Sequence, residues 1–544
     1  MSVFGRLLTK GNELVPRQVF ASFSFLVLLA FFLNNFWLGD DGFITFRTAH
    51  NWVNGYGLRW NSVERVQTYT NTLWLFYITP LYLLTTDIYI SALLGSLAAF
   101  VALVLILYRN SSSDLAFAII MLLMVSSKSF LEYTSSGLEN VLSFALLSAY
   151  FFTYSRLASG LTRVESAGFP KGSWMVSLLF AALFLNRMDS ILLVLIPQLI
   201  LAYHLVRSWR RVGMRPLLQN ACAVLPIVLW LLFSLVYYGF FFPNTFYAKT
   251  TFAIDSVRWK WVLGYYKYAL YMDPLLLVLP AIALALSVSR RGRKYLPFGT
   301  GVLLYNAYII QVGGDFMGGR WLTLPYIISI CILAAWWDFG TLTRFKYRDL
   351  AVAGLVFVAA YSLQNRLMRY NPFVAQQGGM PVLNTDLFNG VVDERLTLGQ
   401  FTRITKCLNG PCFMVHPLYL MGYALRAEGE SGRIPSGGAM GLLGFAAGPG
   451  VRIIDRQGLC DPLLARMEGQ PIAPGHVFRQ VPDGYDVPGE VISDPVLRDY
   501  NERLQIVTRG DLWTQERWNA ILAFNFGQLR TFHTYRENQN RSAP

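Results

Sequence analysis

The sequence predicts a polytopic α-helical membrane protein that ends in a soluble α+β domain. Of its 544 residues, 54% are hydrophobic and only 14% are charged, and the mean hydropathy is +0.40, which is too apolar for an ordinary soluble protein. Apolar runs recur from Gln18 to about Leu363. The following stretch is rich in Gly, Pro and charged residues, has no run long enough to cross a bilayer, and contains short β-like runs such as GVRIID. We therefore expect a membrane domain over residues 1–364 and a soluble domain over residues 365–544.

The apolar runs correspond to about eleven membrane-spanning segments. The first run is about 20 residues long and lacks a small-residue cleavage site before Asp40, so it is interpreted as a membrane helix rather than a cleaved signal. The predicted segments are 18–38, 88–108, 115–127, 138–155, 174–186, 190–206, 219–241, 274–289, 297–312, 321–338 and 349–364.

The basic residues predict a cytoplasmic N-terminus, because Lys and Arg concentrate in short cytoplasmic loops. The net charge of +14 then reflects topology rather than a nucleic-acid surface, since no basic patch or stripe is visible. The apolar stretch from Leu73 to Leu84 would invert all later loops if it crossed the membrane, so we place it at the outer interface, inside a first external loop over 39–87. The predicted inside residues are Arg109, Arg156, Arg163, Lys171, Arg207, Arg210, Arg211, Arg215, Arg290, Arg291, Arg293, Lys294, Arg344, Lys346 and Arg348.

This topology gathers the polar and ionisable groups at the outer face of the membrane, together with the C-terminal domain. Ionisable groups at a membrane surface are costly unless paired and usually have a function. The segments concerned are LGDDGFITFR with the loop to Asn71, KSFLEYTSSGLEN, NRMD, FFPNTFYAK and GGDFMGGR. Their convergence is the main functional signal of the sequence.

Asp40 and Asp41 directly follow the first span and are candidates for acid–base chemistry. Adjacent acids often have their pKa values pushed apart, so one carboxylate acts as a base while the other binds. The alternative is that both merely supply negative charge at the N-terminus of a following helix. A divalent cation held by this pair stays open, although the five histidines are scattered and neither HExxH nor CxxC occurs.

Other outer residues have the chemistry to bind a sugar phosphate. Gln67, Tyr69, Asn71 and Trp74 combine hydrogen-bonding groups with aromatic faces, although Trp and Tyr also populate ordinary interface belts. Arg47, Arg187, Lys249 and Arg320 are candidate phosphate-binding cations, and the alternative for each is a structural ion pair. The acids Glu132, Glu139, Asp189 and Asp315 lie in the same loops, and the paired glycines around Asp315 allow close backbone approach to a ligand.

The five cysteines divide between the two regions. Cys407 and Cys412 lie in KCLNGPCF in the external domain, where an oxidising compartment permits a disulfide. Cys460 is then left over, whereas Cys222 and Cys331 fall within spans and are interpreted as packing residues.

Ordered motifs across most of the chain resemble a known family. The segment DDGFITFRTAHNWVNGYGLRWNSVERVQTYTNTLW looks like the opening of the polyprenyl-phosphate-dependent GT-C glycosyltransferases, and most like the terminal arabinofuranosyltransferase family of actinobacterial cell walls. The likeness continues through TSSGLENVLSF, LNRMDS, FFPNTFYAK, GGDFMGGRWLTLP, IIDRQGLCDPLLARM and PGHVFR.

The resemblance implies a GT-C membrane fold in the bacterial cytoplasmic membrane, with Asp40 or Asp41 as catalytic base. It also implies a polyprenyl-phosphate-linked D-arabinofuranose donor and an envelope glycan or pilin acceptor. On that pattern His476 and the cations would face the donor phosphate. The resemblance also implies one shared cavity, lined by Glu139, Asp189, Lys249, Asp315, Arg320 and His476. The candidate sugar- or acceptor-binding residues are Gln67, Tyr69, Asn71, Trp74, Glu139, Asp189, Asn244, Tyr247 and Asp315.

Three alternatives remain open at this stage. Another sugar on the same carrier, such as mannose, would need similar chemistry. A transporter of lipid-linked sugars would also use many spans, but such proteins commonly carry internal repeats with midplane sites, which the sequence does not show. A non-catalytic envelope assembly factor would not require the acidic pair. Inversion or retention at the anomeric carbon is not readable, and retention would make a carboxylate the nucleophile.

Overall fold

The apolar runs form helices throughout the first two thirds of the chain in a computed structural model. The structure describes residues 16–161, 169–250, 255–336, 346, 352–360, 362, 374–377, 380–383, 385–408, 410, 412–428, 432–433, 440–485 and 491–542. The predicted cytoplasmic residues Arg163, Arg344 and Arg348 lie outside these residues, as do the ends of the last predicted span, whose residues 352–360 are helical.

Among the described residues before 337 there are fifteen helices, with short 3-10 turns at Met188–Leu193 and Arg293–Tyr295. They are α1 (Arg17–Asn35), α2 (Asp40–Val53), α3 (Thr72–Thr85), α4 (Ile88–Asn110), α5 (Asp114–Ser126), α6 (Lys128–Thr134), α7 (Asn140–Leu161), α8 (Ser173–Asn186), α9 (Leu195–Val212), α10 (Arg215–Tyr238), α11 (Asn244–Thr250), α12 (Asp255–Met272), α13 (Leu275–Val288), α14 (Leu296–Val312) and α15 (Thr323–Trp336).

The C-terminal region combines short helices with small two-stranded sheets. Strands β1 and β2 are antiparallel, β3 and β4 are parallel, and β5 and β6 are antiparallel with an irregularity between Pro471 and Ala473. The elements are β1 (Val374–Gln377), β2 (Met380–Leu383), α16 (Glu394–Thr397), α17 (Gly399–Thr402), α18 (Ile404–Cys407), α19 (Pro417–Glu428), β3 (Gly432–Arg433), α20 (Met440–Ala447), β4 (Ile453–Ile454), β5 (Gln470–Ala473), β6 (His476–Phe478), α21 (Pro495–Arg509), α22 (Gln515–Phe526) and α23 (Phe532–Ser542).

Four helices of the described chain are long and apolar enough to cross a membrane: Gln18–Asn35, α4, α7 and α10. Two bent pairs raise this number to as many as six, with bends of 88° and 95°. The chain is therefore a multi-pass membrane protein. The count of about eleven spans and the interfacial position of α3 stay predictions, because α3, α8 and α15 are shorter apolar helices.

Hydrogen bonds join the break of one bent helix pair to the break of the other. Asp273 lies at the break between α12 and α13, and Ser127 lies at the break between α5 and α6. The Asp273 carboxylate accepts hydrogen bonds from the Ser127 hydroxyl (2.7 Å) and from the Ser129 backbone N–H (2.8 Å). Backbone groups that a straight helix would satisfy internally thus find a partner at the bend.

The chain divides into two compact units that are discontinuous in sequence. The first comprises Met1–Leu38, Ala92–Leu225 and Trp261–Leu408, and the second comprises Gly39–Ser91, Pro226–Lys260 and Asn409–Pro544. The predicted division at residue 364 stays a prediction. Cys407 and Cys412 are both disulfide-bonded, whereas Cys222, Cys331 and Cys460 are free thiols.

In the second unit, the C-terminal helices hold the end of α10. The buried Arg517 guanidinium donates to the carbonyl oxygens of Val236 (2.8 Å), Tyr237 (3.1 Å) and Val507 (2.9 Å). Helix ends leave such carbonyls without intrahelical partners, so Arg517 satisfies the end of α10 and joins it to α21. A core that includes Phe240, Tyr500 and other apolar residues packs around this junction.

Replacing Arg517 with Leu should lower the thermal midpoint of the purified protein, because buried carbonyl oxygens at the end of α10 would lose their donor. The expected loss is on the order of 3 kcal/mol in the free energy of unfolding. Thermal-shift measurements in detergent test this, with Arg503→Leu as the matched control, since the Arg503 side chain is 51% exposed and pairs with the exposed Asp499. Equal midpoints for the two variants would contradict the role given to Arg517.

Candidate active site

The acidic pair begins a helix in the second unit. Gly39 precedes α2, and both Asp40 and Asp41 lie in its first turn, where the helix dipole favours negative charge. Asp40 is buried, whereas Asp41 is partly exposed. The two carboxylates therefore occupy different environments, although they are neighbours in sequence.

Asp40 is held by the N-terminus of another helix. Its two carboxylate oxygens accept the backbone N–H groups of Gly441 and Leu442 at the start of α20, each at 2.8 Å. Burial raises the pKa of Asp40 to about 6, although these two hydrogen bonds act in the opposite direction and the neighbouring Asp41 charge adds to the rise. Asp40 is thus ionised at neutral pH and bound to backbone.

Arg47, a predicted phosphate ligand, lies two turns further along α2 and is buried. Its guanidinium donates to the carbonyl oxygens of Gly444 (2.7 Å), Gly448 (3.1 Å) and Val451 (2.8 Å) and stacks 4.1 Å from the centre of the Trp60 ring. Burial lowers the pKa of Arg47 to about 10, so it remains charged at neutral pH. A phosphate would have to compete with three backbone acceptors for this side chain.

Asp41 and Lys249 both act electrostatically on His476 in the second unit. Burial lowers the pKa of His476 to about 4, the Lys249 charge adds to this shift, and the Asp41 charge opposes it. Lys249 is exposed at the end of α11, and a side chain at Gly475 would place a Cβ 3.3 Å from its ammonium. A carboxylate, a cation and a neutral imidazole are therefore gathered from distant parts of the sequence.

The tautomer of His476 follows from its neighbour. Its Nδ1 lies 3.1 Å from the carbonyl oxygen of Pro474, which can only accept a hydrogen bond. Nδ1 therefore carries the proton, and Nε2 of the neutral ring is an acceptor. The imidazole can bind a hydroxyl group, while Lys249 supplies positive charge.

The predicted sugar-binding residues of the first external loop are buried among protein groups. The Gln67 side-chain oxygen accepts from the Ser234 hydroxyl (3.0 Å), and the Tyr69 and Tyr238 hydroxyls are 2.8 Å apart. Asn71 accepts a hydrogen bond from Thr45 (3.0 Å). Trp74 is fully buried, and its indole N–H has no hydrogen-bond partner among the described residues. Contact of these four residues with a sugar stays a prediction.

Asn244 and Tyr247 line a small cavity together with Gln67. Its volume is about 10 Å³, enough for about one water molecule and too small for a sugar. The Asn244 amide donates to the carbonyl oxygens of Gly458 (2.8 Å) and Asp461 (3.1 Å), so it organises the loop of the IIDRQGLCDPLLARM motif. The buried Asn244 side chain therefore has a structural role in the second unit.

In the first unit, two predicted cations and two predicted acids form one buried chain of ion pairs. Arg187 contacts Asp189 (2.9 Å) and Glu139 (3.3 Å), and Arg320 contacts the same Glu139 oxygen (3.0 Å). The Tyr305 hydroxyl donates to Asp189 (2.7 Å). Paired charges of this kind hold segments together, and any contact with substrate stays a prediction.

The glycines of GGDFMGGR lie against side chains of the first unit. A Cβ at Gly318 would come within 2.3 Å of the Tyr268 ring, and one at Gly319 within 2.4 Å of the Ser129 hydroxyl oxygen. Asp315 is buried in the same loop. The close backbone approach predicted for a ligand is therefore made by protein side chains at these two positions.

A second buried charge cluster of the first unit was not predicted from the sequence. The Lys128 ammonium contacts Glu132 and the Asp393 carboxylate (2.7 Å), and Arg395 contacts Glu132 (3.3 Å). The spacing of Lys128 and Glu132, four residues apart, was the available signal. Their partners come from a distant segment that carries no motif.

No group of three potential metal ligands occurs among the described residues. The sequence analysis left one candidate site for a divalent cation, at Asp40 and Asp41. Both oxygens of Asp40 face backbone N–H groups, which repel a cation and are an anion-binding arrangement. The geometry at Asp40 therefore does not fit a divalent cation.

The chain is similar to two named transferases from actinobacteria. One is the terminal beta-(1->2)-arabinofuranosyltransferase of Mycobacterium tuberculosis (strain ATCC 25618 / H37Rv), at 28% identity over 79% of this chain and 79% of that protein. The other has the same name, comes from Corynebacterium glutamicum, and is 30% identical over 59% of this chain, with about half of its own length (51%) covered. No family model and no solved structure matches the chain. These relatives confirm the resemblance inferred from the motifs.

The lowered pKa of His476 should give this residue a contribution to stability that is lost in acid. Because the pKa of His476 is lowered to about 4 in the folded state from its ordinary 6.5, the unfolded chain binds the proton more tightly. The contribution to stability is complete above pH 6.5 and is lost as the pH falls towards 4. Thermal midpoints at pH 7.5 and 5 test this. His476→Gln should lose less stability on acidification than the parent, and equal losses in the two proteins would contradict the prediction.

Proposed function

We propose that this chain, a membrane glycosyltransferase of an arabinofuranosyltransferase-like family, transfers D-arabinofuranose from a polyprenyl-phosphate donor to an envelope glycan or pilin. The reaction takes place at the outer face of the cytoplasmic membrane. A terminal β-(1→2) linkage, as in the names of both relatives, is the product we propose. The observation that carries the proposal is that the charges of Asp41 and Lys249 both act on His476, with the Lys249 ammonium next to Gly475, in a chain with this similarity.

Asp41 is the base in this proposal, because Asp40 is already engaged by two backbone N–H groups. The acceptor hydroxyl gives its proton to the Asp41 carboxylate as its oxygen attacks the anomeric carbon. The bond between the anomeric carbon and the phosphate oxygen breaks, and polyprenyl phosphate leaves with the electron pair. Retention of configuration would instead make Asp41 the nucleophile of a covalent intermediate.

Lys249 and His476 are assigned to the donor. The Lys249 ammonium stabilises the negative charge that develops on the departing phosphate. The neutral imidazole of His476 accepts a hydrogen bond from a sugar hydroxyl through Nε2. A neutral ring is suited to this role because a protonated one would have no acceptor atom.

Two features support the outward orientation. Cys407 and Cys412 are disulfide-bonded, which fits an oxidising compartment outside the cytoplasm. Basic residues also concentrate in the short loops that this orientation assigns to the cytoplasm. The donor lipid would reach the reaction from the surrounding bilayer.

Asp41→Asn should reduce transfer by about 10²- to 10⁴-fold, the usual contribution of a general base. The assay uses purified protein, a synthetic polyprenyl-phosphate arabinofuranose and a short arabinofuranosyl oligosaccharide, and it measures the polyprenyl phosphate released. Glu502→Gln, an exposed acid of the same unit, is the matched control and should keep parental activity. Parental turnover in Asp41→Asn would refute the assignment of the base. Faster transfer from the mannose-linked carrier would refute the donor sugar.

Lys249→Ala should lower turnover by about 10²-fold, because one preorganised charge at the leaving group is lost. The exposed Lys406→Ala is the control. The defect should shrink with a donor whose leaving group is intrinsically better than polyprenyl phosphate, such as an arabinofuranosyl nitrophenyl derivative. An equal defect with both donors would contradict a role for Lys249 at the departing phosphate.

A further inference from the structure

Helices α2 and α20 run side by side in the same direction, and each end of the pair is held by one charged side chain of α2. Asp40 binds the first N–H groups of α20, and Arg47 binds carbonyl groups at and beyond its end. Residues seven apart lie on one face of a helix, about 10 Å apart along its axis. Gly441 and Gly448 are also seven residues apart. The spacing of Asp40 and Arg47 on α2 therefore matches the spacing of the backbone groups that they bind.

Both contacts use the dipole of α20. The N-terminal end of a helix carries partial positive charge and the C-terminal end partial negative charge. Asp40 and Arg47 are therefore each placed at the end of opposite sign. Charge-assisted hydrogen bonds of this kind are shorter and stronger than neutral ones, and a shift of α20 along α2 would leave buried charges without partners.

Two glycines allow the helices to approach so closely. A Cβ at Gly441 would lie 1.9 Å from the Asp40 carbonyl oxygen, and one at Gly444 would lie 2.4 Å from the Trp60 ring and 3.0 Å from an Arg47 nitrogen. A distance below 3 Å cannot be accommodated without movement. The contact between α20 and α2 therefore requires glycine at both positions.

Apolar packing fixes the remaining side of the contact. Ile44 and Trp60 pack with Met440, Leu443 and Ala447 in one buried core. Close packing of this kind tolerates little change in spacing between the helices. The relative position of α2 and α20 is thus determined by packing and by charge together.

We infer that Asp40 is a positioning residue and that α20 is the element through which it fixes the catalytic turn of α2. The inference rests on the proposed function, in which the next residue, Asp41, is the base. Anchoring the Asp40 carboxylate at both oxygens holds the first turn of α2 in place and directs the adjacent carboxylate towards the reacting hydroxyl. Small displacements of a catalytic group lower turnover strongly, which gives such an anchor a kinetic effect.

The segment that contains α20 supplies part of the frame of the catalytic carboxylate, in addition to any role in binding the acceptor. Changes on α20 that never touch substrate should therefore alter turnover. Asp40 and Arg47 should also depend on each other, because both act through the same helix.

The experiment compares Asp40→Asn, Arg47→Lys and Gly444→Ala with Asp41→Asn, in the full-length protein with the donor and acceptor of the transfer assay. An Asn at position 40 can accept one N–H, but its own NH₂ group opposes the other, so the anchor is half lost. Arg47→Lys keeps the charge but cannot serve three acceptors in the same geometry. We expect each of the three variants to lower kcat by about 10- to 100-fold with KM for the donor within about twofold.

The kcat values of these variants distinguish the positioning role of Asp40 from the proposed role of Asp41. Parental kcat in Asp40→Asn, with Asp41→Asn inactive, would overturn the positioning role and leave the proposed function intact. Parental turnover in Asp41→Asn would refute Asp41 as the base, on which both the proposed mechanism and the inference rest. Loss in Asp40→Asn as complete as in Asp41→Asn, with parental kcat in Arg47→Lys and Gly444→Ala, would make Asp40 a reacting group and also overturn the inference.

Two further measurements keep the test independent of misfolding. Thermal midpoints identify any variant that fails to fold, and Arg47→Lys is the milder substitution on which the test then rests. In the double variant Asp40→Asn with Arg47→Lys, the losses in kcat should be less than additive, since the second change acts on a helix already released. Full additivity would show that the two residues act separately and would contradict the inference.

Discussion

The organisation of the second unit depends on the pairing of buried charged side chains with the unsatisfied ends of helices. A helix leaves N–H groups exposed at one end and carbonyl groups at the other, and burying either without a partner is costly. A buried carboxylate needs hydrogen-bond donors, and a buried guanidinium needs acceptors. Asp40 and Arg47 meet this need on α20, and Arg517 meets it at the end of α10. Segments far apart in sequence are thereby locked to one another.

The sequence predicted the position of the acidic pair but not the division of roles within it. Both acids lie in the first turn of α2, as the capping interpretation expects, but Asp40 binds the N–H groups of a different helix, α20, and Asp41 is the base we propose. Adjacent acids have the same local signal, and what distinguishes them is Gly441, about 400 residues away. A single sequence cannot show such a partner, because no periodicity or spacing connects the two segments.

The sequence located the charged residues but did not show which residues they pair with. The motifs identified Glu139, Arg187, Asp189 and Arg320, and the structure joins all four in one buried network of the first unit. The apolar runs located the helices for a similar reason, since hydropathy is a local property. The predicted spans 115–127 and 274–289 end and begin at the two breaks, but the hydrogen bond between Ser127 and Asp273 was not predicted, because it joins residues 146 positions apart.

The electrostatics around His476 limit how the proposed chemistry can be divided among the three groups. A histidine whose pKa is lowered to about 4 holds no exchangeable positive charge near neutral pH, so it cannot act as the acid that protonates a leaving group there. A phosphate monoester is a stable anion and needs charge stabilisation more than a proton. Lys249 supplies that charge, and its charge is also one of the causes of the low pKa of His476. The same lysine can thus stabilise the leaving phosphate and keep the neighbouring imidazole neutral, which leaves Asp41 as the group able to accept the proton of the acceptor.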